Sequence, residues 1–295
     1  MPWIVCLFLF LASAAEPKEN GPDKPKYNLS ICATFKNESR YLREWIEYHR
    51  LIGVDHFFLY DIGSSDGYKP ALRKYLRDGV VTLINWPDLS KNLSDAIGLL
   101  STQLPAYENA IRVAARGKTK WLVFVDVDEF LVPLHTDNLI QILEKYKDFP
   151  AVLLTREFFD ASQPYVLPKR KLIIESLDMT ESPEPSLQKS VEKMIFKPEL
   201  CESLSWPPYR YTFKYGHPIA LSKSEAKINS YLNRNQSLAD SRRIKPKIKT
   251  AAPLSEKEIQ HLLESGYEIE DPEKAIIRFV PEVMKRIGTP HRLSD

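Results

Sequence analysis

The sequence shows no excess of charge of either sign. It holds 41 Lys and Arg residues against 39 Asp and Glu residues, a formal net charge of +2. A protein without a strong net charge has no general attraction for nucleic acid or for an anionic membrane surface. We therefore expect no nucleic-acid partner, and any charged ligand must be held by local groups.

The sequence also contains no internal repeat and no low-complexity tract, and the apolar run at residues 4–11 is short. Spanning a bilayer takes about 20 apolar residues. The run is followed by the small residues 12–15, which is typical of a secretory signal, although no Lys or Arg precedes it. Residues 1–15 are thus predicted to be a signal peptide cut after Ala14 or Ala15, or else an uncleaved anchor. The mature chain is expected in a secretory-pathway or periplasmic lumen or outside the cell, touching a membrane only if the anchor stays.

Cysteine is scarce. Of the three cysteines, Cys6 lies in the predicted signal, so only Cys32 and Cys201 remain in the mature chain. They could form one disulfide in an oxidising compartment, or each could be a buried thiol. Both alternatives stay open at this point.

Strand and helix patterns alternate after a short linker at residues 16–26, which contains three prolines. The domain at 27–295 has apolar strand patterns at 29–34, 54–60, 80–85, 121–125 and 151–155. Helical patterns lie between them, at about 38–52, 70–79, 105–115 and after Thr136. Asn37 or Ser39 is expected to cap the first helix, Gly53 to end it, and Thr136 to cap the last. The alternation predicts an α/β fold with a mostly parallel sheet covered by helices on both faces, whereas the poor periodicity after residue 159 predicts an irregular second half.

Polar loops follow three of the predicted strands, at residues 34–38, 61–66 and 126–129. Ligands of such sheets bind beyond the carboxyl ends of the strands, so these loops should meet in one crevice. Asp126 and Asp128 come directly after the apolar strand, and carboxylate oxygens suit Mg²⁺ or Mn²⁺. Such a cation would neutralise the diphosphate that leaves a nucleotide sugar. The alternative is that both acids are solvated loop residues or caps.

Four segments carry a resemblance to glycosyltransferase family 92, a GT-A-fold group related to family 2. They read ATFKNESRYLREWIEYHRLIGVDHFFLYDIGSSD (33–66), WLVFVDVDEFLVP (121–133), KMIFKP (193–198) and INSYLNR (228–234). The resemblance implies a GT-A-type, Rossmann-like sheet and inverting transfer of a hexose, galactose among the candidates, from a nucleotide-diphosphate sugar to a glycan acceptor. UDP-hexose is the foremost donor and Mn²⁺ or Mg²⁺ the implied cofactor. The domain would then divide into a nucleotide-sugar half at 27–155, an acceptor half at 156–250 and a helical segment at 251–295.

Positions carried over from the family suggest a set of site residues. Those implied to bind the donor are Thr34, Lys36, Asn37, Glu38, Asp61, Ser64, Asp66 and Asp126. Asp126 and Asp128 are implied at the metal. The histidine usual in the family is replaced by Ser230, so His217 becomes a candidate substitute ligand or an exposed turn residue.

The acceptor side also departs from the family, because residues 155–160 replace its usual Trp-x-x-Phe-Gly-Ser. An inverting transferase needs a general base, and Glu157 and Asp160 are the candidates by position. The alternative for Glu157 is a surface salt bridge with Arg156. The basic run at 242–249 could close over the diphosphate or be a solvated surface.

Two other functions compete with the transferase. A phosphohydrolase also carries a strand-ending Asp-x-Asp, but on its first strand and with a Thr or Val where Phe130 stands here. A non-catalytic relative that binds nucleotide sugars or glycans is the second rival, and Ser230 is the residue that favours it.

Overall fold

The computed structural model describes residues 24–89, 95–160, 171–175, 192–205, 210–232 and 272–288. The predicted signal peptide, nearly all of the linker and the basic run at 242–249 lie outside these ranges. No helix within them has the length and apolarity needed to cross a membrane.

Eleven strands and five α-helices make up the described ranges. The strands are β1 Tyr27–Phe35, β2 His56–Asp61, β3 Val81–Asn85, β4 Thr119–Phe124, β5 Glu129–Pro133, β6 Ala151–Asp160, β7 Glu192–Phe196, β8 Cys201–Ser205, β9 Arg210–Phe213, β10 Ile219–Ala220 and β11 Ala226–Leu232. The α-helices are α1 Leu42–Leu51, α2 Lys69–Arg77, α3 Asp95–Asn109, α4 Leu139–Lys145 and α5 Val280–Ile287. A π-helix, Ala110–Ala115, extends α3, and 3₁₀ turns lie at Ile173–Glu175 and Pro272–Phe279.

One large sheet has the strand order β3-β2-β1-β4-β7-β6-β11-β5, with β10 paired to β6. The first four strands are parallel, β7 is antiparallel to both of its neighbours, and β11 is parallel to β6. Strand β5 closes the order, antiparallel to β11. The predicted mostly parallel α/β sheet is confirmed.

Helices cover both faces of this sheet. Along β1, Ile31 belongs to a core that includes Trp45 of α1, whereas Cys32 belongs to a second core that includes Tyr107 of α3. Successive side chains of a strand point to opposite faces, so these two cores lie on the two sides of the sheet. The sheet is therefore buried between helical layers, and its strand ends are the places where a ligand can reach it.

Helix α1 begins later than predicted and is capped differently. It starts at Leu42, and its N-cap residue Tyr41 makes no capping hydrogen bond through its side chain. Neither Asn37 nor Ser39 occupies the N-cap position; Asn37 Oδ1 accepts from the Ser65 N–H, and the Ser39 N–H donates to Asp66. The prediction for Gly53 is correct, since its φ of +101° is the left-handed conformation that ends helices.

Two other helices also differ from the prediction. Helix α3 begins at Asp95 and runs through Pro105, so the proline lies inside the helix and does not start it. Helix α4 is capped by Asn138, whose Oδ1 accepts a hydrogen bond from the Ile140 N–H, and not by Thr136. Thr136 instead accepts from the Asn138 N–H, so it organises the turn before the cap.

The chain between residues 192 and 232 is more regular than predicted. Strands β7, β10 and β11 join the main sheet, and β8 and β9 form a hairpin. These strands are short and pair with distant parts of the chain, so local periodicity does not reveal them. Cys32 and Cys201 are both free, buried thiols, which decides the alternative that the sequence left open.

Candidate functional site

The carboxyl ends of β1, β2 and β3 lie side by side at one edge of the sheet. Phe35 is in register with Asp61, and Asp61 with Asn85. On the other side of β1, Cys32 is in register with Phe124 near the end of β4. The loops that follow these strands therefore meet, as the sequence predicts.

Hydrogen bonds join the loop after β1 to the loop after β2. The Asn37 N–H donates to Ser64 Oγ at 3.0 Å, and Asn37 Oδ1 accepts from the Ser65 N–H at 2.8 Å. The Ser39 N–H donates to Asp66 Oδ2 at 2.7 Å. Asn37 has a φ of +59°, a conformation that asparagine tolerates better than most residues. These predicted donor-site residues are thus brought together, although partly to hold one another.

Asp61, the last residue of β2, holds the loop that follows this strand. Its Oδ1 accepts from the Ser64 N–H at 2.8 Å and its Oδ2 from the Tyr68 hydroxyl at 2.7 Å. Burial, together with the hydrogen bond to Asp61, raises the pKa of Tyr68 to about 12, so the phenol remains the donor at neutral pH. Asp61 is only 9% exposed, which leaves a small surface for a ligand.

Three other predicted donor-site residues, at the end of β1 and in the loop after it, contact α3, the segment after β3 and the start of α1. Thr34 Oγ1 accepts from Gln103 Nε2 of α3 at 3.0 Å. Lys36 forms an ion pair of 2.9 Å with Asp88, which follows β3. The main-chain oxygen of Glu38 accepts the N–H groups of Tyr41 and Leu42 at the start of α1. The loop is consequently tied to β3 and α3 as well as to β2.

Asp126 and Asp128 lie between β4 and β5 and are both partly exposed. Asp126 Oδ1 accepts from the Tyr107 hydroxyl at 3.5 Å, and Asp126 Oδ2 lies 3.4 Å from Lys193 Nζ. The main-chain oxygen of Asp128 accepts from the Tyr231 N–H of β11 at 2.8 Å. The motif is thereby anchored to α3 on one side and to β11 on the other.

A buried ion cluster supports this motif. Glu129 is 1% exposed, and its oxygens lie 2.7 Å from Lys193 Nζ and 2.9 Å from an Arg156 guanidinium nitrogen. Glu129 also accepts from the Asp126 N–H at 2.9 Å. Burial by itself would lower the pKa of Lys193, but the carboxylates of Asp126 and Glu129 outweigh it and raise that pKa, so the ammonium is charged.

Sequence reasoning did not assign a role to these partners. Glu129 was visible beside the two aspartates, and Lys193 stands in the KMIFKP segment, whose resemblance is weak by itself. Neither position reveals that β7 lies next to β4, which is what brings Lys193 to the motif.

The two candidate bases lie on β6. Glu157 forms an ion pair with Lys227 of β11 at 2.5 Å, while Arg156 pairs with Glu129. The alternative salt bridge between Glu157 and Arg156 is therefore not the one that the structure contains. Asp160 ends β6, in register with Leu232, and its side chain lies outside the described residues.

His217 is not brought to the other site residues. Its neighbour Gly216 lies against Pro150, where a Cβ on the glycine would be 3.0 Å from the proline Cδ, and Ile219 pairs with Val152 near the start of β6. Strand β6 runs parallel to β4 through their shared antiparallel neighbour. Val152 is level with Val123 through Ile195, so His217 lies on the amino-terminal side of that level, away from the carboxyl end of β4 where Asp126 lies.

Ser230 does lie at the site. It is buried at 3% exposure and in register with Glu129 across β11 and β5. The residue that replaces the family histidine is thus next to the aspartate motif, but its hydroxyl is a poor substitute for an imidazole ligand.

The chemistry of the donor set fits a hard divalent cation only in part. Asp126 and Asp128 supply two carboxylates on one short loop, the ligands that Mg²⁺ and Mn²⁺ prefer. No cluster of three or more His, Cys, Asp or Glu residues with metal-binding geometry occurs in the described ranges. Phosphate oxygens of a bound nucleotide would have to supply further ligands.

Residues 27–265 match the family model described as glycosyltransferase family 92. The chain belongs to glycosyltransferase family 92. A family 92 protein of Ricinus communis is 26% identical over 231 residues, covering 74% of this chain and 37% of the relative. A galactan beta-1,4-galactosyltransferase of Arabidopsis thaliana is 32% identical over 133 residues, covering 42% of this chain and 25% of the relative. The two matches extend over 37% and 25% of these relatives, so this chain spans little more than a third of their length at most.

Solved structures resemble this family 92 chain only distantly. S. aureus TarS, residues 1–349, aligns with a TM-score of 0.34 and 13% identity, covering 59% of this chain and 48% of TarS. A similarity at that level assigns nothing to individual residues here.

Proposed function

We propose that this family 92 chain transfers a hexose from a nucleotide-diphosphate sugar to a glycan acceptor, with inversion and outside the cytoplasm. UDP-hexose is the foremost donor. The observation that carries the proposal is the position of Asp126 and Asp128, beside the joined loops after β1 and β2, in a chain that matches the family over residues 27–265.

The loops after β1 and β2 would hold the nucleoside. Thr34, Asn37 and Asp61 carry hydroxyl, amide and carboxylate groups, which can bind the edges of a base and the hydroxyls of a ribose. The hydrogen bonds of Asn37 and Asp61 to Ser64 and Ser65 fix the loops before a ligand arrives. Less conformational freedom is then lost on binding, which favours affinity.

Asp128 would hold the divalent cation, Mn²⁺ or Mg²⁺, with Asp126 as the second carboxylate. When bound, the cation would offset the charge that develops on the departing diphosphate. The chain's own contribution is to fix the two carboxylates: the Asp126 N–H is bonded to Glu129, and the Asp128 oxygen to the Tyr231 N–H.

Glu157 would accept the proton of the acceptor hydroxyl as that oxygen attacks the anomeric carbon and the bond to the diphosphate breaks. Glu157 is in register with Asn229, and Asn229 with Phe130, so one strand separates it from the aspartate loop. Two strand spacings are about 10 Å, which leaves room for a sugar between the carboxylate and the diphosphate. Its side chain is 35% exposed, so an acceptor can reach it, and Lys227 orients it. Asp160 is the second candidate.

A non-catalytic relative that binds nucleotide sugars is the second candidate function. Ser230, buried beside Glu129, favours it because the family histidine is absent there. Membership of family 92 leaves no support for the phosphohydrolase alternative.

The test begins with a thermal-shift screen of UDP- and GDP-sugars in the presence of MnCl₂. A ligand that binds only the folded state at about 100 times its dissociation constant adds roughly 2.7 kcal/mol to the free energy of unfolding. Galactan oligosaccharides and UDP-galactose come first, because one relative is a galactan galactosyltransferase. Transfer, or slow donor hydrolysis, supports the enzyme; binding without either supports the non-catalytic relative; no binding of any nucleotide sugar contradicts both.

A further inference from the structure

Lys193 approaches the aspartate motif from a strand that lies beside it. Strand β7 is antiparallel to β4, with Val123 in register with Ile195. Lys193 is two residues before Ile195, so it lies level with Val125, the residue that precedes Asp126. Its side chain therefore starts where the strand ends and the candidate site begins.

The ammonium group of Lys193 lies closer to the buried Glu129 than to the partly exposed Asp126. It is 2.7 Å from Glu129 Oε2 but 3.4 Å from Asp126 Oδ2. Glu129 is 1% exposed, whereas the side chains of Lys193 and Asp126 are 16% and 37% exposed. The ammonium thus sits at the boundary between the core and the candidate site. It has three N–H donors, and these two carboxylates are its ion-pair partners in the described ranges.

The charges around the motif leave a role for a fixed cation. Among the described residues at the motif, Asp126, Asp128 and Glu129 are acidic, and Lys193 and Arg156 are the basic residues paired with Glu129. An incoming diphosphate is repelled by the acids unless a cation faces it. Arg156 contacts Glu129 and the ring of Phe158, and Lys193 contacts both Glu129 and the partly exposed Asp126.

We propose that Lys193 is a diphosphate-binding residue of the donor site, its ammonium anchored by Glu129 and bridging Asp126 to a phosphate oxygen of the bound nucleotide. This inference rests on the proposed function. It adds a permanent positive charge in a chain where Ser230 replaces the family's histidine, and that charge acts whether or not a divalent cation is bound.

The test compares UDP binding by Lys193→Met and Lys193→Arg with binding by the unaltered protein, each with MnCl₂ and with a chelator. Lys193→Met should weaken UDP binding by about tenfold or more, since a lost hydrogen bond to a charged group is large enough for that. The loss should persist in the chelator. Lys193→Arg keeps the charge and should stay within about threefold of the unaltered affinity.

The matched control is Lys171→Met, which removes another lysine paired with a glutamate of 1% exposure, Glu175, outside the donor-site loops. It should bind UDP normally. Because Lys193→Met leaves Glu129 with one cation fewer, the double variant Glu129→Gln with Lys193→Met removes the buried pair together and protects folding. That double variant should bind UDP as weakly as Lys193→Met.

Two results would overturn the inference. One is a UDP affinity within twofold of normal in folded Lys193→Met or in the folded double variant. The other is an equal loss of affinity in Lys193→Met and Lys193→Arg, which would make Lys193 a packing element only. Failure of the proposed function looks different. In that case the unaltered protein binds no nucleotide diphosphate under either condition.

Discussion

At the scale of single residues, the two aspartates after β4 have different surroundings. Asp126 is in contact with Tyr107 and Lys193 through its side chain, and the main-chain oxygen of Asp128 accepts the Tyr231 N–H. A metal that approaches Asp126 competes with the Lys193 ammonium, which lies 3.4 Å from Asp126 Oδ2. We propose Asp128 as the principal cation ligand, with Asp126 as the second carboxylate.

We predict that Asp128→Asn abolishes most transfer while leaving the fold intact. The change removes the charge but keeps the shape of a partly exposed side chain. Loss of this electrostatic stabilisation should lower kcat by about a hundredfold or more. Transfer assays with MnCl₂ and with a chelator, alongside melting curves, measure it. The control is Asp137→Asn. The Asp137 side chain is 77% exposed and pairs with Arg278 at the surface, so this variant should keep normal transfer and melting behaviour. A folded Asp128→Asn protein with near-normal, chelator-insensitive transfer would refute the metal role.

We predict that Asp61→Ala weakens both the fold and nucleotide binding. The Ser64 N–H and the Tyr68 hydroxyl would each lose an acceptor, which should cost about 1–3 kcal/mol of unfolding free energy. UDP affinity should fall by roughly tenfold. Tyr68→Phe removes one of the same hydrogen bonds but keeps the carboxylate, so it should lower stability and spare UDP binding. Equal affinity losses in the two variants would mean that Asp61 only organises the loop.

At the scale of elements, α1 is tied to the strand that follows the aspartate motif. The Trp45 indole N–H donates to the main-chain oxygen of Glu129, and the Tyr48 hydroxyl donates to the main-chain oxygen of Leu131. His49, fully buried, contacts the Trp45 oxygen through Nδ1 and accepts from the Leu131 N–H through Nε2. The position of His49 is structural, because it joins α1 to β5 and so supports the loop between β4 and β5.

We predict that His49 makes the protein less stable in mild acid. Burial lowers the pKa of His49 to about 3 against 6.5 in the unfolded chain, so between these values the unfolded state binds the extra proton. The stability is fully present above pH 6.5 and is lost as the pH falls towards 3, by roughly 2 kcal/mol at pH 5. Urea unfolding of His49→Gln at several pH values should show a shallower dependence. A slope equal to that of the unaltered protein would contradict the prediction. His56, whose pKa burial lowers to about 4, contributes in the same direction to both proteins and cancels in the comparison.

At the scale of the whole molecule, the first 26 residues are compositionally distinct from the domain that follows. An apolar run and small residues are succeeded by a proline-containing linker, and the first strand begins at Tyr27. The linker at residues 16–26, with three prolines and several charges, cannot bury a hydrophobic face. We propose that the apolar run before it directs the chain out of the cytoplasm.

We predict that the mature protein begins near Ala15 or Glu16. Expression of the full chain in a host with a secretory pathway, followed by N-terminal sequencing of the exported protein, measures this directly. A variant with Leu7 and Leu9 changed to Lys should remain inside the cell, because the apolar run is what such a signal presents. Full-length protein recovered from the cytosol of the unaltered strain would exclude the signal peptide, and full-length protein in the membrane fraction would indicate the anchor.

The sequence by itself determined the order of strands and helices up to β4 and the place of the aspartates after that strand. Apolar strands, helical periodicity and turn residues are local features, so the strand at β4 and the loop carrying Asp126 and Asp128 can be read from neighbouring residues. The same locality explains the errors at the helix starts. Asn37 and Ser39 are residues that often cap helices, but in the structure their N–H groups donate to Ser64 and Asp66 of the loop after β2.

Only the tertiary structure decided which charges meet. Glu129 pairs with Lys193 and Arg156, whereas Glu157 pairs with Lys227 and not with its neighbour in sequence. His217, which the sequence offered as a ligand, lies before β10 at the start of β6, and Ser230 lies beside the motif. These outcomes depend on β7 and β11 taking their places next to β4 and β5. Such pairings form between residues distant in sequence, because burying both strands together stabilises them, and no local pattern specifies that choice.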